Sequence, residues 1–314
     1  MNTQSQLTLE TSILDGTYRE YIPSPMLKKY IHKYYFTEGF SSLKNKKIKT
    51  INKCNAEMVI HYGEEKINLY HKDTKKFVKK TATIIGGHKA TNVREYKATN
   101  DIFMFSVEFN YIGILKLLSV YPVEILDSVI DIDILFGESA KILIDKFSKA
   151  KGDLNKINII ENFFIDILEK DNSNYCKENL LLQCMDIMVS SNKKIKDICE
   201  DFNISRRYIE RNFKKKIGYS SKEFYKISRI NNVCLQLHKD YPNKNLSEIA
   251  EENNYVDLSH FNKEFKQLTG LSPYKYLNNN NNNKLLYLGR GYLIYDYNNY
   301  NIELTEKNNL KLAL

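Results

Sequence analysis

The residues of this chain best suited to chemistry form one basic segment, residues 205–217. It holds three arginines and three lysines but a single acid, Glu210. The planar arginine side chain can donate two hydrogen bonds together, to O6 and N7 of guanine, and such a contact discriminates between bases by about 1–3 kcal/mol. The segment therefore predicts a surface that reads DNA. The positions expected to face the groove are Arg206, Arg207, Glu210, Arg211 and Lys214.

The pattern around this segment occurs a second time further along the chain. Residues 195–218 and 246–270 share one order of apolar, capping and glycine positions. In each copy a capping residue type, Ser205 or Asp257, precedes a helix that ends before a glycine. Apolar residues four apart give that helix one inward face, so each copy predicts a helix-turn-helix unit whose second helix enters the major groove. In the second copy the positions expected to face the groove are Leu258, Ser259, His260, Asn262 and Lys263.

A long helix is expected to join the two units. Two helices that enter successive major grooves on one side of DNA must lie about 34 Å apart. A rigid connecting helix would set that spacing and let one molecule read an asymmetric site. Residues 221–238 predict this helix, with the inward positions Phe224, Ile227, Ile230, Val233 and Leu237.

The net charge of the chain, +9, is concentrated in the same region. Residues 192–277 contain 17 basic and 11 acidic residues. Basic side chains often serve only to solvate helices, and charge alone would favour that plainer interpretation. The repeated caps, the spaced aromatic residues and the basic outer faces together favour double-stranded DNA as the partner. A membrane surface is disfavoured because the basic helices lack an exposed apolar stripe.

These features resemble the DNA-binding domain of the AraC/XylS family of bacterial transcription regulators. The resemblance implies two helix-turn-helix units joined by a helix, activation at a promoter operator, and contact with RNA polymerase. It assigns base reading to two arginines of the first unit and to three polar residues of the second. These residues are Arg207, Arg211, Ser259, His260 and Lys263.

Two departures from the family pattern affect turns. Asn254-Tyr255 stands where the family usually has Gly-Phe, and Tyr219-Ser-Ser stands where Ser-Pro is more frequent. The matching elements are Ile195-Lys-Asp-Ile, Ser205-Arg-Arg-Tyr-Ile-Glu-Arg-Asn-Phe-Lys, Ile217-Gly-Tyr-Ser, Ser228-Arg-Ile, Leu246-Ser-Glu-Ile-Ala, Asp257-Leu-Ser-His-Phe-Asn-Lys-Glu-Phe-Lys and Gly270-Leu-Ser-Pro-Tyr-Lys-Tyr.

The N-terminal half carries a different pattern. Short β-rich runs at residues 50–62, 66–71, 77–85 and 102–109 predict an antiparallel sheet that curls or closes like a barrel. Apolar residues at helical spacing predict a helix after Ser24-Pro25, and further helices over residues 112–120, 134–147 and 154–168. The expected fold class is α+β, with this β-barrel-like domain and its packed helices preceding the all-α domain.

The N-terminal half also resembles the small β-barrel domains that precede the DNA reader in part of the family. In relatives such domains bind small-molecule effectors or form homodimers. The elements that carry this looser resemblance are Pro25-Met-Leu-Lys-Lys-Tyr-Ile, Glu57-Met-Val-Ile, Gly86 and Val107-Glu-Phe with Ile114-Leu-Lys-Leu-Leu and Phe136-Gly. The resulting division is a sensing or dimerisation domain over 1–170, a linker over 171–179, the DNA-binding domain over 180–277, and an asparagine run with a tail over 278–314.

Enzyme and metal chemistry are disfavoured by spacing. The five cysteines form no CxxC pair and none sits in a Gly-rich nucleophile elbow, so free buried thiols are expected. His61, His71 and His88 share the strand region without an HxH pair. We therefore expect no catalytic residue, no cofactor and no metal site, and a cytoplasmic protein without a membrane span. Two alternatives stay open, a DNA-binding protein without an effector and a metal-binding barrel enzyme fused to a DNA reader.

Overall fold

The computed structural model describes residues 5–13, 15–41, 47–63, 69–71, 76–78, 81–88, 94–97, 101–170, 179–191, 193–239, 241, 243–282 and 292–294. Residues 171–178 of the expected linker, part of the strand expected at 66–71, and most of the tail after 282 lie outside these ranges.

An antiparallel sheet forms most of the N-terminal half, as the sequence predicts. Seven strands are hydrogen-bonded in the order β1-β2-β3-β10-β5-β8-β11. Two smaller groups, β12-β4-β9 and β6-β7, accompany it. The strands are β1 (Gln6–Ile13), β2 (Gly16–Ile22), β3 (Ile31–Gly39), β4 (Lys47–Thr50), β5 (Ala56–His61), β6 (Leu69–His71), β7 (Lys76–Val78), β8 (Ala82–Ile85), β9 (Arg94–Lys97), β10 (Ile102–Phe109), β11 (Val129–Asp131) and β12 (Tyr292–Ile294).

The prediction of a helix after Ser24-Pro25 is wrong beyond the first turn. Backbone hydrogen bonds from Leu27 and Lys28 to the carbonyl of Ser24 close a turn, and β3 then begins at Ile31. Three consecutive aromatic residues at 34–36 favour a strand, and β3 is paired on both sides, by β2 and β10. Burial between two strands therefore overrides the helical spacing.

Helices pack on one face of this sheet. They are α1 (Tyr111–Leu117), α2 (Ile132–Phe136), α3 (Glu138–Lys149) and α4 (Asp153–Lys170). Aromatic rings join the layers, since Phe105 and Phe109 of β10 lie 5.2 and 5.5 Å from Phe147 of α3 and Phe164 of α4, centroid to centroid. The helix expected over 134–147 is split at Gly137, whose φ of +55° ends α2.

The C-terminal half is helical, with the predicted pair of helix-turn-helix units. A π-helical turn, Phe213–Ile217, continues α7. The helix α11 runs past the predicted domain boundary at residue 277 and includes Asn278–Asn282. The remaining helices are α5 (Asn179–Ser191), α6 (Ile195–Asp201), α7 (Arg206–Asn212), α8 (Ser221–Lys239), α9 (Leu246–Glu252), α10 (Leu258–Thr269) and α11 (Pro273–Asn282). Among the described residues no helix is long and apolar enough to span a membrane.

Candidate nucleic-acid interface

The first recognition helix, α7, begins and ends as its sequence predicts. The Ser205 hydroxyl accepts a hydrogen bond from the backbone N–H of Tyr208 at 3.2 Å. Gly218, with a φ of +90°, ends the π-helical turn that follows. The inward side chains Ile209 and Phe213 are fully buried. These contacts hold the helix with one face free.

The arginines and lysine assigned to that free face are on the surface. Arg206, Arg207, Arg211 and Lys214 are all exposed, within about two helical turns of the N-terminal end. Recognition helices contact base edges through residues near this end. The structure therefore brings four of the five predicted residues of the first unit together on one accessible surface.

Glu210, the fifth of these residues, makes a structural contact. Its carboxylate accepts hydrogen bonds from the hydroxyl of Ser221 at 2.6 Å and from the backbone N–H of Ser221 at 3.2 Å. The side chain is 31% exposed and lies 3.8 Å from Nε of Arg206. Glu210 thus caps the start of α8 and fastens α7 to it, and its contact with a base stays a prediction.

The second recognition helix, α10, presents a more mixed surface. The carboxylate of Asp257 accepts a hydrogen bond from the backbone N–H of His260 at 2.7 Å, which caps the helix. The imidazole of His260 lies 3.8 Å from the Glu264 carboxylate and packs edge-on against the ring of Tyr255. The predicted groove-facing residues Leu258, Ser259, His260, Asn262 and Lys263 are all exposed.

One residue of this surface was not predicted. Val256 directly precedes the cap of α10 and is 87% exposed. It lies at the N-terminal end of the recognition helix, beside Leu258, which is 40% exposed. The sequence marks Val256 only as an apolar residue at a turn position.

Buried polar contacts fasten the connecting helix α8 to the second unit. Arg229 of α8 donates hydrogen bonds from Nε, at 3.1 Å, and from Nη2 to the same carboxylate oxygen of Glu264 on α10. The hydroxyl of Tyr255 donates to that oxygen at 3.0 Å. Burial and the Glu264 charge raise the pKa of Tyr255, so its hydroxyl stays protonated and acts as a donor. The guanidinium also lies 3.8 Å from the centre of the Tyr255 ring.

The same helix is fastened to the first unit at its other end. Phe224 of α8 packs edge-on against Phe213 at 5.5 Å, next to the bond between Ser221 and Glu210. Both units are therefore held by one continuous helix. Sequence reasoning did not assign a role to Arg229 or Glu264, although both lie in the motifs that carry the family resemblance.

The described residues contain no group of three side chains able to hold a metal ion. Burial lowers the pKa of His61 to about 4, so the imidazole is neutral near pH 7. The free buried thiols expected from the sequence are confirmed for Cys54, Cys184, Cys199 and Cys234, whereas Cys176 lies outside the described residues. Burial raises the pKa of Cys234 to about 12, which disfavours the nucleophilic thiolate.

Comparison with known proteins covers both halves of the chain. A family model described as a helix-turn-helix domain matches residues 198–279. The matched segment contains both recognition helices, α7 and α10. A second model, described as a domain of unknown function (DUF6597), matches residues 19–131, which contain most of the strands of the seven-stranded sheet.

The similarity of this chain to individual known proteins is distant. The chain is 29% identical over 135 residues to the Msm operon regulatory protein of Streptococcus mutans, a match that covers 42% of this chain and 48% of that protein. The chain therefore spans about half the length of this curated relative. A structure of ToxT from Vibrio cholerae shares 15% identity with a TM-score of 0.43, over 74% of this chain and 94% of that one. The AraC-like transcriptional activator CuxR shares 12% identity with a TM-score of 0.20, over 75% and 81% of the two chains.

Proposed function

We propose that the protein is a sequence-specific DNA-binding transcription regulator that activates a promoter by contacting RNA polymerase. The observation that carries the proposal is the pair of exposed recognition faces, on α7 and α10, both fastened to α8. Such an arrangement suits two successive major grooves of one operator. A cytoplasmic location and the absence of catalysis belong to the same proposal.

The two units divide the work. In α7 the exposed arginines supply bidentate donors, which we assign to base reading, and Lys215 in the following π-helical turn supplies charge for phosphate. In α10 we assign smaller contacts to the polar residues and an apolar contact with thymine methyl groups to Val256 and Leu258. The first unit then provides most of the affinity, and the second refines the position on the operator.

The first experiment maps binding sites of the native protein across its genome, which yields the operator. Arg211→Ala is then compared with Lys215→Ala on that operator, since each variant removes one exposed cation. Arg211→Ala should weaken specific binding by about 1–3 kcal/mol and relax the preference at one base pair. Lys215→Ala should weaken all sequences alike and reduce the salt dependence by about one phosphate contact. Equal, sequence-independent losses from both variants would refute this division.

The N-terminal domain is the proposed sensor of a small molecule. The face of the sheet opposite its helices is polar yet buried, with Ser106 of β10 fully buried and His61 of β5 7% exposed. Ser106 Oγ and His61 Nδ1 have no hydrogen-bond partner within the described part of the chain. Ser106 and His61 lie on the neighbouring strands β10 and β5. Their positions are offset by two residues along the strands, because Ser106 pairs with Val59 and His61 pairs with Met104. Two such groups suit an uncharged ligand that exchanges hydrogen bonds.

Ligand binding tests this part of the proposal. Thermal unfolding of the full chain is measured with uncharged sugars and, for contrast, with carboxylates, at concentrations too low to stabilise proteins by exclusion from their surface; an uncharged effector should raise the transition temperature, and carboxylates should not. Reporter output from the mapped promoter should respond to the same compound. Output that no compound changes would favour the alternative, a DNA-binding protein without an effector. A homodimer through the N-terminal domain is likewise proposed, and sedimentation of the full chain measures it.

A further inference from the structure

The end of the first helix-turn-helix unit is buried against the N-terminal domain. Tyr219 directly follows Gly218 and is 2% exposed. Its hydroxyl donates a hydrogen bond to the backbone carbonyl of His88 at 2.9 Å. The side-chain amide of Asn52 donates to the Tyr219 oxygen at 3.1 Å and to the same His88 carbonyl at 2.5 Å. Three residues far apart in sequence thus share one buried hydrogen-bond network.

Further contacts extend this network onto α8. The side-chain amide of Asn231 donates to the backbone carbonyl of Asn52 at 2.9 Å. The ring of Tyr111, at the start of α1, packs edge-on against Phe224 at 5.5 Å. Because Phe224 also contacts Phe213, an aromatic column runs from the N-terminal domain to the inward face of the first recognition unit.

Two glycines show how closely the surfaces fit. A Cβ atom at Gly87 would lie 2.8 Å from the Tyr219 hydroxyl oxygen, and one at Gly218 would lie 2.6 Å from Cδ2 of Leu126. Both distances are shorter than an ordinary van der Waals contact. Each glycine therefore permits the close approach of the other domain.

We propose that these contacts form an interdomain latch, made by Asn52, His88, Tyr219 and Asn231, that couples the sheet to the first recognition helix. Asn52 precedes β5 and His88 follows β8, and these two strands are hydrogen-bonded neighbours. A shift of either strand therefore moves a direct partner of Tyr219. The latch holds the C-terminal end of the recognition unit, and the arginines near its N-terminal end stay exposed. The N-terminal domain thus sets the orientation of α7 without covering its base-reading face.

A double-mutant cycle in the full chain tests the coupling, with amide hydrogen exchange measured by mass spectrometry. The variants are Asn52→Ala, Tyr219→Phe and their combination. Tyr219→Phe retains the buried ring and removes only the hydroxyl. Tyr274→Phe is the matched control, since Tyr274 is 67% exposed in the same helical domain.

Asn52→Ala alters only the N-terminal domain, yet we expect it to raise exchange in residues 206–217 about tenfold, as the loss of one hydrogen bond would. Tyr219→Phe should raise exchange around residues 86–88 to a similar extent. The combined variant should exceed either single variant by less than the product of their effects, because both remove the same bond. Tyr274→Phe should change neither segment. Effects that stay within the mutated domain, or that multiply, would overturn the proposal.

Gly87→Ala provides a second route that leaves the helical domain unaltered. The new methyl group would meet the Tyr219 hydroxyl, so we expect the same rise in exchange over residues 206–217. Adding Tyr219→Phe removes the atom that is struck, and the nearest remaining atoms lie 3.5 Å away. The combined variant still lacks the bonds of the Tyr219 hydroxyl, so it should exchange no faster than Gly87→Ala alone, and well below the product of the two single effects. Effects of the two substitutions that multiply would contradict the latch.

These exchange measurements are made without DNA and without an effector. Their failure would leave the proposed DNA reading in place, and failure to find an operator would leave the latch in place.

Discussion

Glu264→Gln tests how the second recognition unit is held. The Glu264 side chain is 3% exposed and that of its partner Arg229 is 5% exposed. The substitution retains the shape of the side chain but removes its charge, so the Arg229 guanidinium stays buried without a counter-ion. Removing one partner of a buried ion pair costs about 3–5 kcal/mol. Lys226 lies 3.4 Å from the other carboxylate oxygen but is 32% exposed, so it can turn to water and adds little.

Urea unfolding of the full chain measures this cost. The chain has 23 tyrosines and no tryptophan, so far-UV circular dichroism and tyrosine fluorescence are suitable probes. A loss of about 3–5 kcal/mol is a large part of the 5–15 kcal/mol typical of folded proteins, and the transition of the helical domain should move to clearly lower urea.

Two controls separate the buried charge from other causes. The double variant Arg229→Met with Glu264→Leu replaces both charges with apolar groups and should recover most of the stability. Glu200→Gln removes the acid of an exposed pair with Lys196, at 75% and 67% side-chain exposure, and should cost no more than about 0.5 kcal/mol. If Glu264→Gln costs less than about 1 kcal/mol, or the double variant is no more stable than the single one, the reasoning is refuted.

Three other perturbations test the caps, the sheet and the groove surface. Ser205→Ala and Asp257→Ala should each lower the free energy of unfolding by about 0.5–2 kcal/mol, because each removes the acceptor at the start of a recognition helix. Ser205→Thr keeps an acceptor and should retain most of the wild-type stability. Urea unfolding that shows no loss in either alanine variant would contradict the assigned caps. Burial lowers the pKa of His61 to about 4, so as pH falls the unfolded chain binds a proton first, from its ordinary value near 6.5. The free energy of unfolding should therefore fall between pH 6.5 and 4, by about 2 kcal/mol at pH 5, and His61→Gln should show a correspondingly shallower pH dependence. Wild-type protein should bind a thymine operator about fourfold more tightly than the deoxyuridine version that lacks the contacted methyl group. Val256→Ser should reduce that difference in a fluorescence-anisotropy titration, and an unchanged preference would place Val256 away from the bases.

The helical domain was predictable from sequence because its signals are local. A serine or aspartate cap, an apolar pair four residues apart and a closing glycine all lie within one helix, and their repetition at a second place made accident implausible. The exposed positions of α7 followed from the same periodicity. Glu210 shows the limit, since its helix face was predicted but its bond to Ser221 depends on where α8 begins.

The N-terminal half was less predictable because a strand depends on its neighbours. Residues 25–35 have apolar residues spaced as in a helix, yet residues 31–39 form β3 between β2 and β10. The pairing of β3 with β10 joins segments that are distant in the chain, and no local pattern encodes it. The partner of β12, Tyr292–Ile294, is likewise not encoded locally, since this strand pairs with the distant β4.

Local signals in the chain were enough to predict the two helix-turn-helix units, their caps and the basic face of the first one, because each depends on residues within a few turns of helix. The pairing of the buried polar groups depends instead on how distant elements pack: Arg229 with Glu264, and Tyr219 with Asn52 and the carbonyl of His88. A buried hydrogen bond or ion pair requires two groups at one distance and orientation. Across more than a hundred residues, as between Asn52 and Tyr219, only the packing of intervening elements sets that distance.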